Sequence, residues 1–266
     1  MGGFGASALA FWLGSCIGSF ANVLVYRLPR EESVVRPPSR CPHCGSRIAA
    51  YDNVPILGWL LLRGRCRRCK AKISARYPIV ELVSGILALA LWRRWGDASP
   101  AWAYLSGLAA IMLLAVTLID WETFLIPDEL SLGLLIAGLC VAPFNPLFWG
   151  EPAWKAVLLA LRGGAVGFSL CYAVAWAGEA LFGKEAMGGG DIKLLAAVGA
   201  WSGGVGAFDC LMLGSVVGSI YGVALMARGR ATRSDPIPFG PFLSVGAVFN
   251  LFLVLPLGFP FIPATW

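Results

Sequence analysis

Residues 28–76 read LPREESVVRPPSRCPHCGSRIAAYDNVPILGWLLLRGRCRRCKAKISAR, the only long polar stretch in the chain. Twelve of the 21 Lys and Arg residues fall between Arg27 and Arg76, against only Glu31, Glu32 and Asp52. Outward from this stretch the sequence is apolar in both directions. The 266 residues are 58% hydrophobic and 14% charged, where a soluble domain carries about 25% charged residues. Mean hydropathy is +0.74. Backbone groups in lipid must bond within their own segment, and the apolar runs are too many for one anchor. The expected fold is an all-α polytopic membrane protein with a small cytoplasmic zinc-binding loop domain between helices 1 and 2. The opening MGGFGASALAFW has no basic n-region and no convincing cleavage site, so it is read as a retained helix.

About eight transmembrane helices are expected, over 6–27, 78–95, 101–119, 129–148, 155–182, 192–204, 208–227 and 239–261. The domains follow as 1–27 (first helix), 28–77 (loop domain) and 78–266 (membrane core). The segment 192–204 is short for a ~30 Å core at 1.5 Å per residue. It reads as a partial span, tolerated only where it lines a cavity. Basic residues favour the cytoplasmic side, which puts the 28–76 loop inside and the N-terminus outside, in the periplasm. The turns at 120–128, 183–191 and 228–238 then also fall inside. Arg228, Arg230 and Arg233 in the last turn support this, and Arg93 and Arg94 fall outside.

Two carboxylates open apolar segments on that inner side: Asp128 in FLIPDELSL and Asp191 in MGGGDIKLL. A carboxylate near a bilayer costs roughly 2.5–3.5 kcal/mol on insertion scales, so it marks a pathway or a chemical site. Paired aspartates hydrolyse a peptide bond by sharing one proton, one activating water while the other polarises the carbonyl. Gly188, Gly189 and Gly190 would let a facing helix or substrate approach closely, and Pro127 fixes φ just before Asp128. Helix N-capping is the competing structural reading for either aspartate alone. Asp120, in TLIDWE, is a third candidate that could replace Asp128 in the pair. Glu81 is expected to pair with a nearby cation.

The cysteines divide evenly. Cys16, Cys140, Cys171 and Cys210 sit in apolar stretches and read as buried packing. Cys41 and Cys44 (CPHC) and Cys66 and Cys69 (CRRC) form two C-x-x-C pairs separated by 21 residues, close to the ~15–20-residue spacing of two-knuckle zinc sites. Four sulfurs complete a closed tetrahedral site, so the metal is expected to be structural. Disulfides are the alternative in an oxidising compartment. His43, the only histidine, reads as a loop residue rather than a ligand. Gly14-x-x-x-Gly18 reads as a close helix-packing face, and Asn22 as a cap or a substrate contact.

In this order, GSCIGSFANVLVYRLP, the CPHC and CRRC pairs, DNVPILGWLLLRGRCRRCKAKISARYPIVELVSG, LIDWETFLIPDELSL, MGGGDIKLLAAVGAW and IPFGPFLSVGA resemble the bacterial type IV prepilin peptidases. These are bifunctional leader peptidases and N-methyltransferases of the GxGD aspartic type, and the likeness runs from about residue 14 to 247. The resemblance implies an inner-membrane enzyme that cuts the basic leader from prepilins or pseudopilins on the cytoplasmic face. It then methylates the new N-terminal residue, with S-adenosylmethionine as methyl donor. It places the catalytic aspartates on Asp128 and Asp191 rather than Asp120, the motif glycines on Gly188 and Gly190, and the zinc ligands on Cys41, Cys44, Cys66 and Cys69. The middle glycine, Gly189, departs from the family pattern, where a bulkier residue is often found. The expected partners are the prepilin substrates and the lipid bilayer, with no nucleic acid. The competing classes are a peptidase without methyl transfer, a transporter using the aspartates as a proton relay, and a zinc-stabilised scaffold without chemistry.

Overall fold

The computed structural model describes residues 3–183, 187–232 and 235–253. Its regular elements are helical, apart from two isolated antiparallel bridges, Arg40 with Arg47 and Arg65 with Lys72. The eight α-helices among the described residues are α1 (Phe4–Arg27), α2 (Leu57–Leu61), α3 (Arg76–Trp95), α4 (Pro100–Thr123), α5 (Asp128–Val141), α6 (Ala153–Phe182), α7 (Gly189–Ala227) and α8 (Gly240–Leu253). Among the described residues, four stretches are long and apolar enough to cross a membrane: Phe4–Arg30, Pro100–Thr123, Ala153–Leu181 and Gly189–Ala227. The chain divides into two compact units, 1–111 and 112–266.

In the first unit, α1 packs on α3 through the Gly14/Gly18 face. A Cβ on Gly14 would lie 2.5 Å from the Ala88 Cβ, and one on Gly18 would lie 2.5 Å from the Ser84 Cβ. Small residues let these backbones approach, which is how helices associate where lipid already satisfies apolar surface. Asn22 donates to the Tyr77 carbonyl at 3.2 Å, so it joins α1 to α3 rather than capping α1. Glu81 meets a backbone donor from the loop. Its carboxylate accepts from the Ile56 N–H at 2.7 Å and so ties the loop to α3.

In the second unit, α5 stops at Val141 instead of reaching 148, and short 3₁₀ turns follow at Ala142–Phe144 and Pro146–Phe148. Pro143 and Pro146 lack the N–H groups that an α-helix would need there. The expected helices 192–204 and 208–227 are the two limbs of α7, separated at Gly203 (φ 72°, ψ 176°), a left-handed backbone that favours glycine. The chain reverses at this point. Gly190 lies against Ile126, and Gly222 lies against Ile237. The Tyr221 ring is 5.5 Å from Trp121 and 5.7 Å from Phe242. A straight helix would separate residues 190 and 221 by about 45 Å, yet both sit at the end of the unit that holds Asp120, Ile126 and Gly240.

The first limb runs parallel to α5 and antiparallel to α6. At only ~21 Å it falls short of a bilayer core, but Leu194 to Trp201, the middle of the limb, are all buried, so this stretch meets protein rather than lipid. Asn145 donates to the Trp201 carbonyl at 2.7 Å, two residues before the break at Gly203. The second limb runs antiparallel to α8, closed at the far end by the Asn250 amide on the Gly206 carbonyl at 3.0 Å. Residues 254–261 of the last expected helix lie outside the described residues.

Candidate active site and metal centre

Three turns meet at one end of the second unit, and they carry all three acidic candidates. Ile126 is the hub. A Cβ on Gly190 would lie 2.9 Å from the Ile126 Cβ, and one on Gly240 would lie 3.0 Å from its Cδ1. The first turns of α5, α7 and α8 are thereby brought together, each presenting a positive helix N-terminus that favours carboxylate charge.

The three carboxylates have different surroundings. Asp128 is the first residue of α5, whose N-cap is Pro127. Its side chain is 57% exposed, and both oxygens accept from the Lys193 ammonium, at 2.6 and 2.9 Å. It therefore does not cap its own helix. Asp191, in the first turn of α7, accepts from the Gly188 N–H through Oδ2 at 3.3 Å. Its Oδ1 is buried and has no hydrogen-bond partner among the described residues. A buried oxygen in that position is costly unless something polar meets it. Asp120 is buried, and its Oδ2 accepts from the Gly240 N–H at 2.9 Å. It caps the start of α8, and it lies within Coulombic range of Asp191.

The glycines are not equivalent. Gly190 is required by the Ile126 contact. Gly188 has an ordinary extended backbone (φ −74°, ψ 153°), and a Cβ there would meet only the Asp191 Oδ2, at 3.5 Å. Gly189 faces open space, so a bulkier residue would fit at that position. The loop is also held from behind, where the Cys171 thiol on α6 donates to the Met187 sulfur at 2.9 Å. Cys171 and Cys210 are buried as expected. Cys16 is half-buried, and Cys140 is exposed on α5, a position that an apolar side chain can occupy where a helix faces lipid.

In the first unit the two C-x-x-C turns have matching backbones. The Cys41 N–H bonds to the Ser46 carbonyl at 2.9 Å, and the Cys66 N–H to the Ala71 carbonyl at 2.8 Å. Each turn has a left-handed residue four places after its first cysteine, Gly45 (φ 68°) and Lys70 (φ 60°). The ligand atoms of Cys41, Cys44, Cys66 and Cys69 all lie within 4.8 Å of one another, and the Cys41 and Cys69 sulfurs are 3.7 Å apart. A tetrahedron with metal–sulfur bonds of ~2.3 Å has an edge of about 3.8 Å, so the four thiols fit a tetrahedral metal.

Local polarity makes these thiols unequal. Hydrogen bonds from the Ser46 hydroxyl and backbone draw the Cys44 thiol down to about 6. The N–H groups of Cys69 and Arg68 lower Cys66. Although the Ala71 N–H favours its thiolate, Cys69 is pushed up to about 11 by burial and by the neighbouring thiols. Arg67 forms a fork with Asp52 at 2.6 and 2.8 Å, which holds that carboxyl below its usual range. His43 is exposed and lies outside the sulfur cluster.

The sequence reading missed three contributors. Lys193, two residues beyond Asp191, is not among the site residues read from the sequence. Gly163-x-x-x-Gly167 on α6 is a small-residue face as plain as the one on α1. A Cβ on Gly163 would collide with the Gly199 carbonyl, and one on Gly167 with the Leu195 carbonyl. Asn145 falls inside the expected helix 129–148, where the sequence reading gives it no role.

Two family models match the chain: a bacterial peptidase A24 N-terminal domain over residues 12–95, and the type IV leader peptidase family over residues 107–223. Among similar proteins is a prepilin leader peptidase/N-methyltransferase of Burkholderia pseudomallei (strain K96243), 38% identical over 94% of this chain and 86% of the relative. The Aeromonas hydrophila protein of that name is 40% identical over 90% of this chain and 87% of its own length. A type 4 prepilin-like proteins leader peptide-processing enzyme of Escherichia coli O78:H11 is 35% identical over 90% of this chain and 91% of the relative. No solved structure matches the chain.

Proposed function

Because this chain belongs to the type IV leader peptidase family, we propose that Asp128 and Asp191 are the dyad with which it removes the leader of its substrates. The chain is an aspartic peptidase and N-methyltransferase that acts on prepilins or pseudopilins. The observation that carries the dyad is the meeting of the first turns of α5 and α7, with Gly190 against Ile126 and Lys193 on Asp128. Asp128 is exposed and ion-paired, which suits a carboxylate that takes a proton from water. Asp191 holds a buried oxygen, which suits the partner that donates to the scissile carbonyl. Water oxygen then bonds to the carbonyl carbon, the C–N bond breaks, and the leaving nitrogen receives the proton. The scissile segment must unwind locally, since a helix hides its carbonyls in internal bonds.

The enzyme is an inner-membrane protein, and the charge pattern supports several passes, a periplasmic N-terminus and an active site facing the cytoplasm. The second-unit geometry is compatible with that topology, because the turns carrying Asp120, Asp191 and Gly240 share one end. Residues 28–77 form the metal-binding loop domain, in which Cys41, Cys44, Cys66 and Cys69 would hold a structural zinc. Zinc there contributes folding energy to a loop with little core of its own. S-adenosylmethionine is the methyl donor that the relatives' methyltransferase activity implies, and the lipid bilayer is the second partner.

The test is co-expression with a prepilin, following leader removal. Asp128→Ala and Asp191→Ala should each abolish cleavage while the protein still inserts. Asp120→Asn should retain activity, because an amide oxygen can still accept from Gly240. Full processing by Asp128→Ala would eliminate the assignment.

A further inference from the structure

We propose that Lys193 is a positioning residue of the peptidase site, fixing the Asp128 carboxylate for its work beside Asp191; this rests on the dyad reading above. Among the described residues the Asp128 carboxylate takes its hydrogen bonds from Lys193 rather than from the backbone of its own helix, so nothing local sets its rotamer. What sets it is one ammonium, from the second turn of the neighbouring helix, at 2.6 and 2.9 Å from its two oxygens. Each carboxylate oxygen offers about two lone-pair sites, so the clamp still leaves both oxygens able to bond water or a shared proton. The Ile126–Gly190 contact fixes the two backbones, and Lys193 fixes the side chain across the same gap.

Stability is a poor explanation for this pair. Its side chains are 39% and 57% exposed, and ion pairs so wet contribute little to folding because solvent screens them. A contact that hardly holds the fold, yet engages both oxygens of a reacting group, does its work on geometry. Placement of this kind is where catalytic rate is gained or lost, with ~1 Å of error costing up to about a hundredfold.

The experiment compares Lys193→Gln, Lys193→Arg and Asp128→Asn in full-length enzyme in lipid nanodiscs, with a purified prepilin as substrate. Rates are taken per folded molecule, with thermal unfolding as the fold control. Lys193→Gln should lower kcat about tenfold or more, with KM changed less than about twofold and the unfolding midpoint unmoved. Lys193→Arg, which can span both oxygens, should recover most of kcat. An unimpaired Lys193→Gln, a loss confined to KM, or an arginine variant as poor as the glutamine one would each overturn the proposal. Asp128→Asn separates the two levels. Dead Asp128→Asn beside normal Lys193→Gln sinks only the positioning role, whereas active Asp128→Asn sinks the dyad and this inference together.

Discussion

Substituting Gly190 by alanine tests whether the α5–α7 contact governs the chemistry. The new Cβ would lie 2.9 Å from the Ile126 Cβ, whereas carbon atoms rest best at about 3.5–4.0 Å. Neither atom is the far end of a flexible side chain, so rotation of a side chain cannot relieve the overlap. Ile126 is fixed by Pro127 on one side and packs against Gly240 on the other. The helix ends must therefore part by up to ~1 Å, at an overpacking cost of roughly 1–3 kcal/mol. If the carboxylates separate with them, the rate of leader removal should fall by about a hundredfold. Gly189→Ala is the matched control: its Cβ would enter open space, and its cost should be near zero, since alanine favours the helix over glycine by ~0.5–1 kcal/mol in an interior position. Initial rates of prepilin cleavage, with unfolding midpoints for both variants, decide the matter. Wild-type rates in Gly190→Ala, or equal damage from both substitutions, would refute the reasoning.

Three other outcomes are expected. Purified enzyme should contain about one zinc per chain, lost in the Cys41→Ser/Cys44→Ser variant and on acidification, because protons compete for the thiolates; elemental analysis reads this, and an active, stable, metal-free enzyme would contradict a structural role. Lys70→Gly should stabilise the second knuckle by roughly 1 kcal/mol by relieving a left-handed side chain, seen as slower metal loss to a chelator; faster loss would speak against it. Asn145→Leu should cost about 0.5–1.5 kcal/mol by removing the hydrogen bond to the Trp201 carbonyl, measured as a lowered unfolding midpoint; an unchanged midpoint would show that the far-end clamp at Gly203 is dispensable.

What could be read in the sequence was carried by residue chemistry, and what escaped it was carried by contact. Composition and the clustering of arginines marked a helical membrane protein with one polar loop. The two C-x-x-C pairs named their own ligands, because sulfur at that spacing has few other uses in such a loop. The carboxylates stood out against an apolar background. The reversal near residues 202–204 was also legible, since Ser202-Gly203-Gly204 interrupts an otherwise continuous apolar run. The early end of α5 was available in Pro143 and Pro146 but was overridden by the hydrophobicity of the run to Phe148. Lys193 could not be singled out, because its partner is distant in sequence and its own neighbourhood reads as an ordinary helix start. Nor could the separate fates of Gly188, Gly189 and Gly190 be read, because only the facing Ile126 distinguishes them.

The central claim is that Asp128 and Asp191 occupy one site, and proximity in native membranes measures that most directly. In a chain with Cys16, Cys140, Cys171 and Cys210 replaced by serine, Asp128→Cys and Asp191→Cys should be bridged efficiently by a short bifunctional thiol reagent. Asp128→Cys paired with Ser202→Cys, at the far end of the first limb of α7, should not be. Bridging of the control pair alone, or of neither pair with both thiols reactive, would contradict the account.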